Sequence, residues 1–130
     1  MYKSIKILVV DDSEMVRVNI FYQLRDVFNE TNIFFADTID KAWEILNNNK
    51  IDVALVDIYL PGKNGADLIS NMLGDKRLKL IPIIVITGTA EDSYIKKSFE
   101  KHVFAYLHKP IDNKKLINSI KESLVIEVTK

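Results

Sequence analysis

The chain contains no cysteine, which removes disulfides, thiolate nucleophiles and cysteine-ligated zinc from consideration. It has no excess of either charge: 18 Lys and Arg balance 18 Asp and Glu. A broad basic surface for gripping nucleic acid is not compatible with that balance, so no direct nucleic-acid binding is expected. No apolar run approaches the ~20 residues that span a bilayer. Met1-Tyr2-Lys3-Ser4 passes directly into a strand-like run and leaves no room for a signal peptide. Repeats, linkers and low-complexity segments are also lacking. What remains is 130 residues, 48% of them hydrophobic, enough for one domain with a substantial core. The expectation is a single domain over 1–130, soluble and cytoplasmic, with no membrane partner.

The apolar residues come as short continuous runs rich in Ile and Val: Ile5–Val10, Ile51–Val56, Ile81–Ile86 and Val103–Leu107, with a shorter run at Ile33-Phe34-Phe35. Continuous rather than alternating runs are the pattern of strands buried on both faces. Between them lie segments of helical period. Val16, Ile20, Leu24, Val27 and Phe28 form one stripe, with Ser13 as a first-turn or capping residue. Thr38 is the N-cap expected for a helix bearing Ile39, Ala42, Trp43 and Leu46, which Asn47-Asn48-Asn49 ends. Pro61-Gly62-Lys63-Asn64-Gly65 is a cluster of turn residues before a helix with Leu68, Ile69 and Met72, closed by Gly74. Further helices are expected near Glu91 to Lys101 and from about Asp112, the last with Ile117, Ile120 and Leu124 on one face. This βαβαβαβαβα order implies a doubly wound α/β fold: a five-stranded parallel sheet between two helical layers, joined by right-handed crossovers.

Four of the runs end in polar residues suited to phosphate and a divalent metal. The first leads to Asp11-Asp12, the third in chain order to Asp57, the fourth to Thr87, and the last through His108 to Lys109-Pro110. In open α/β sheets, sites form beyond the carboxyl ends of strands. Three carboxylates gathered there repel one another unless a cation joins them. Mg²⁺ suits such a place because it takes oxygen ligands and completes its shell with water and phosphate. Asp57 is a credible nucleophile toward phosphorus, with Lys109 as a point charge and Thr87 as a hydroxyl donor for phosphoryl oxygens. The bland alternatives are a capping role for Asp11, solvated Asp12 and Lys109, and turn roles for Asp57 and Thr87.

Asp11-Asp12, Asp57 with Leu60-Pro61-Gly62 and Asn64-Gly65, Thr87-Gly88 and Lys109-Pro110, in this order and spacing, resemble the receiver domain of two-component response regulators. The resemblance covers essentially the whole chain. It implies a flavodoxin-like (chemotaxis-protein-like) sheet of strand order 2-1-3-4-5 and a phosphorylation-activated switch. By the same resemblance Asp57 would be the phosphoacceptor, and Asp12 and Asp57 would ligate Mg²⁺ (or Mn²⁺) directly. Asp11 would hold a metal-bound water, and the Tyr59 main-chain carbonyl would complete the protein ligands. Thr87 and Lys109 would bind the phosphoryl group, Thr87 and Tyr106 would act as the switch pair, and the Lys109-Pro110 peptide would be cis. The implied partners are a sensor histidine kinase or histidine phosphotransfer protein and a downstream effector. The latter would read the surface of the fourth helix, fifth strand and last helix. Self-catalysed phosphotransfer and dephosphorylation are expected, and enzymatic turnover of other substrates is not.

Departures from the family pattern carry their own expectations. Tyr59 and Thr89 occupy the positions that tune water attack on the acyl phosphate; neither supplies an obvious base, so self-dephosphorylation should be slow. His102-Val103 replaces a small Gly-Ala pair, and neither histidine has a ligand partner at metal spacing. The tail Leu124–Val128 has more apolar residues than one helix face needs, which suggests a homodimer surface or a continuing helix. The competing readings are a small aspartyl-nucleophile phosphatase of the haloacid-dehalogenase kind, an FMN-binding flavodoxin-like module, and a degenerate scaffold receiver. The first expects an Asp-x-Asp motif where Asp11-Asp12 has no spacer, and the second a phosphate loop that Asp11-Asp12-Ser13-Glu14 would repel. The third does not account for the presence of all five polar positions.

Overall fold

Each strand-like run becomes a parallel strand, and burial explains why these runs do not alternate. The computed structural model describes residues 2–58, 65–88 and 102–128, with the backbone alone for 125–128. Strands β1 (Ile7–Val10), β2 (Ile33–Ala36), β3 (Val53–Asp57), β4 (Ile83–Thr87) and β5 (Ala105–His108) form one sheet in the order β2-β1-β3-β4-β5. Every residue of β1, β3 and β4 is buried. Successive side chains enter opposite cores, as strand geometry requires. Leu8, Val10, Ala54, Val56, Ile83 and Val85 pack with helices α2 (Ile39–Asn48) and α3 (Gly65–Leu73). Ile7, Val9, Val53, Leu55, Ile84 and Ile86 pack on the other side with α1 (Glu14–Leu24) and the C-terminal helix (Asn113–Val128).

Helix starts follow capping chemistry. Ser13 Oγ accepts from the Val16 N–H at 3.3 Å, and Thr38 Oγ1 accepts from the Lys41 N–H at 3.1 Å. Gly74 follows α3, as expected, with its N–H on the Ser70 carbonyl. Some boundaries differ from the sequence expectation. Helix α1 ends at Leu24, while Val27 and Phe28 continue its stripe onto the same core from the following turn, both their N–H groups returning to the Leu24 carbonyl. The helix also exposes Met15, Val18 and Tyr22, so its apolar residues surround it and blur the periodic signal. On the C-terminal helix Leu116, Ile120, Ser123 and Leu124 are buried, and Ile117 packs half-buried against the same core. The last strand begins at Ala105, while Val103 is buried just before it. The helix expected near Glu91 to Lys101 lies outside the described residues, as do Tyr59, Thr89 and the turn residues 60–64. Among the described residues no helix is long and apolar enough to cross a membrane.

Register levels the strand ends. Ala36, Val10, Val56, Val85 and Tyr106 form one row across all five strands. Asp11 and Asp57 each lie one residue beyond that row, Asp12 and Thr87 two, and Lys109 three. The polar residues therefore gather at one edge of the sheet because their strands are aligned.

Candidate functional site

Asp57 is the last residue of β3 and is 3% exposed; Asp11 follows β1 and is fully buried. Asp12, the next residue, is exposed. Each of the three offers a carboxylate oxygen within 4.8 Å of the others. Lys109 Nζ enters this group, 2.8 Å from Asp11 Oδ2 and 2.9 Å from Asp57 Oδ2. Strand alternation explains the meeting. Asp57 has the parity of Leu55, Asp11 that of Val9 and Lys109 that of Leu107, and those three residues all pack on the α1 side of the sheet.

Asp11 is held from several directions. Its N–H donates to the Ala36 carbonyl at 3.0 Å, which extends the ladder with β2. Its Oδ1 accepts from the Ser13 N–H at 2.9 Å, an Asx turn that aims the carboxylate back over its own chain. The cap of α1 is thus Ser13, and Asp11 is free of that duty. Asp11 Oδ2 is buried and faces the ammonium. Partial burial works to lower the Lys109 pKa, but hydrogen bonds and charge from Asp11 and Asp57 outweigh it and hold the ammonium above the ordinary lysine value.

Three carboxylates facing one ammonium leave the cluster with more negative charge than the lysine can neutralise. A hard divalent cation fits this donor set, because oxygens from three carboxylates converge within 4.8 Å of one another.

Thr87 ends β4, is 5% exposed, and its carbonyl accepts from the Lys109 N–H at 2.8 Å. Its register partner is His108, an exposed strand residue. Tyr106 pairs with Val85, is half-buried, and packs against the α2–α3 core. Thr87 shares strand parity with Val85, so Thr87 and Tyr106 lie on the same face of adjacent strands. The Lys109-Pro110 peptide is cis, as the resemblance implied. His102 is exposed, and the Lys114-Lys115 pair is solvated.

One residue that supports the site carries a different meaning in sequence. Gly65 reads there as a turn residue, yet it is the first residue of α3, with its N–H on the Ile58 carbonyl at 2.7 Å. A Cβ here would run into the Asp57 carbonyl oxygen and approach Ile58 Cα to 2.8 Å. The close approach of α3 to the end of β3 therefore requires glycine. Only the Gly itself was visible in sequence; the backbone it must admit is set by tertiary packing.

Residues 7–121 match the family model of the response regulator receiver domain. The chain is 32% identical over 118 residues to the sensory transduction protein LytT of Bacillus subtilis, covering 91% of this chain and 47% of that protein. It thus spans about half the length of that relative. It is 35% identical over 109 residues to chemotaxis protein CheY-3 of Vibrio cholerae, covering 83% of this chain and 82% of that protein. Its fold superposes on the receiver domain of the sensor histidine kinase PA1611 from Pseudomonas aeruginosa, a structure with a magnesium ion coordinated in its active-site cleft. That match has a TM-score of 0.80 at 20% identity, over 92% of this chain and 96% of that one. The sheet order, the aligned strand ends and the family match agree: the chain belongs to the response regulator receiver domain family of two-component signalling systems.

Proposed function

We propose that this chain is a phosphorylation-controlled switch that accepts a phosphoryl group on Asp57. The observation that carries the reading is the convergence of Asp11, Asp12, Asp57 and Lys109 at one sheet edge. The donor is a phosphohistidine on a sensor histidine kinase or phosphotransfer protein. An Asp57 carboxylate oxygen forms a bond to phosphorus as the P–N bond breaks; the electron pair stays on the imidazole, which regains a proton. Lys109 Nζ, already 2.9 Å from Asp57 Oδ2, offsets the charge that accumulates on the phosphoryl oxygens. Thr87 offers its hydroxyl to another of those oxygens.

Asp12 and Asp57 would hold Mg²⁺ or Mn²⁺ directly, with Asp11 acting through a water and Tyr59 through its carbonyl. Held there, the ion would supply positive charge against the charge that develops on the phosphoryl group. Movement of Thr87 toward the phosphoryl group vacates space on the face it shares with Tyr106. Tyr106 then turns inward and changes the surface an effector reads. By the family resemblance Tyr59 and Thr89 hold the positions that tune water attack on the acyl phosphate, and neither side chain is a base, so the switched state is long-lived. The protein does not turn over other phosphate esters, and it works in the cytoplasm, where kinases present phosphohistidine. The segment 124–128, rich in apolar residues in sequence, is the candidate for self-association or for a continuing effector segment.

Incubation with acetyl phosphate and Mg²⁺ tests this reading. Wild type should be labelled and Asp57→Asn should not; persistent labelling of the variant overturns the assignment of the acceptor.

A further inference from the structure

Arg17 lies on α1 and takes no part in the phosphoryl transfer just described. Its Nη1 donates to the main-chain carbonyl of Asp11 at 2.8 Å, and the side chain is half-buried. That carbonyl belongs to the peptide whose other half is the Asp12 nitrogen. A peptide is planar, so fixing its carbonyl direction fixes where the Asp12 chain departs. Asp12 is exposed, and the direction of its carboxylate depends on that departure. Among the described residues Asp11 is also tied by the Ala36 carbonyl on its N–H, the Ser13 N–H on its Oδ1 and the Lys109 ammonium on its Oδ2. The Asx turn closes its ring around the Asp11–Asp12 peptide, and among the described residues Arg17 is the group that grips that peptide by its carbonyl oxygen.

We propose that Arg17 is a positioning residue for the cation site, holding the Asp11–Asp12 peptide so that both carboxylates face the point where Asp57 also looks. The inference rests on the reading of the acid cluster as a divalent-cation site. It has a distinctive sign. A guanidinium beside a cation site repels the incoming ion, so charge alone would make removal of Arg17 tighten binding. Positioning makes removal weaken it, since groups that orient metal ligands typically contribute about tenfold or more in affinity.

Calorimetric Mg²⁺ titrations without phosphodonor, on wild type, Arg17→Met and Arg17→Lys, test this alongside urea unfolding without metal. Arg17→Met should bind Mg²⁺ about tenfold more weakly. Arg17→Lys should fall between the two, because an ammonium can donate to the carbonyl but lacks the planar fork and its reach. Tighter Mg²⁺ binding by Arg17→Met would mean that charge alone acts, and would overturn the proposal. A lowered unfolding midpoint with unchanged affinity would reduce Arg17 to a helix anchor and would overturn it equally. If Arg17→Met does not fold, Arg17→Lys decides: weaker binding than wild type supports positioning, and equal binding refutes it. Failure of the wild type to bind Mg²⁺ removes the cation-site reading and this inference with it; normal wild-type binding matched by both variants removes the inference alone.

Discussion

Lys109 sits between two buried carboxylates, 2.8 Å from one and 2.9 Å from the other. Removing it in Lys109→Met leaves Asp11 and Asp57 facing each other without a counter-charge. The variant should lose about 1–3 kcal/mol, the cost of stranding a charged hydrogen-bonding group. Added Mg²⁺ should restore more stability to it than to wild type, as measured by urea unfolding with the ion and with EDTA. The pH dependence has a definite sign. The folded-state pKa of Lys109 is raised above the ordinary 10.5. Its stabilisation is therefore complete below 10.5 and is lost as pH rises through the raised value. The stability gap between wild type and Lys109→Met should be constant at neutral pH and narrow at the alkaline end; a gap that widens there would contradict the assignment. Gly65 belongs to the same scale. Gly65→Ala should destabilise by about 1–3 kcal/mol through overpacking, and it should slow labelling by acetyl phosphate because the displaced atoms include the Asp57 backbone. Residues at strand ends were legible in sequence because an apolar run stops abruptly at an acid or a lysine. Gly65 as a close-approach residue and Arg17 as an anchor were not, since each acts on backbone that only the folded chain brings near.

At the level of elements, the sheet is set by continuous apolar runs and the helices by their buried stripes. Strands β1, β3 and β4 were legible because full burial leaves no polar residue to interrupt them. The stripe of α2 was legible because Ile39, Ala42 and Leu46 are buried against the sheet and its other face is polar. For α1 the stripe held its face but outran the helix, because Val27 and Phe28 pack on the same core from the turn that follows Leu24. On the C-terminal helix it named Ile117, Ile120 and Leu124, which all pack on the core, Ile117 only partly buried, and it missed the fully buried Leu116. That difference is measurable. Leu116→Ala should cost about 2–5 kcal/mol, as deletion of a fully buried leucine does, and Ile117→Ala distinctly less. Comparable losses for the two in denaturant unfolding would mean that the helix is rotated relative to this description. Outside the site, Arg77 ties the segment after α3 to the end of α2. Its N–H donates to Asp75 Oδ1 at 2.7 Å and its guanidinium to Asn47 Oδ1 at 2.9 Å. The hydrogen bond from the Arg77 N–H, with the nearby guanidinium charge, holds the Asp75 carboxyl below its usual value.

For the whole molecule, the account is a shift between two states whose populations phosphorylation changes. Thr87 and Tyr106 sit on one face of neighbouring strands, so a rearrangement at the phosphoryl end has a short route to the outer surface. How long the shifted state lasts depends on water access, and there Tyr59 is expected to matter. Tyr59→Ala should shorten the acyl-phosphate half-life; an unchanged half-life would remove Tyr59 as the shield. Fold class and strand order followed from run pattern and motif resemblance, and the register now supplies the reason the motifs meet: one row of aligned residues with the polar groups one to three positions beyond it. Partner identity was not legible, because it depends on surfaces that no burial pattern encodes. The most direct test is to locate the modified residue. After reaction with acetyl phosphate, borohydride reduction and peptide mapping should place a single reduced acyl phosphate at Asp57, formed with Mg²⁺ and suppressed by EDTA. Modification at another residue, or at Asp57 regardless of divalent metal, would contradict the account.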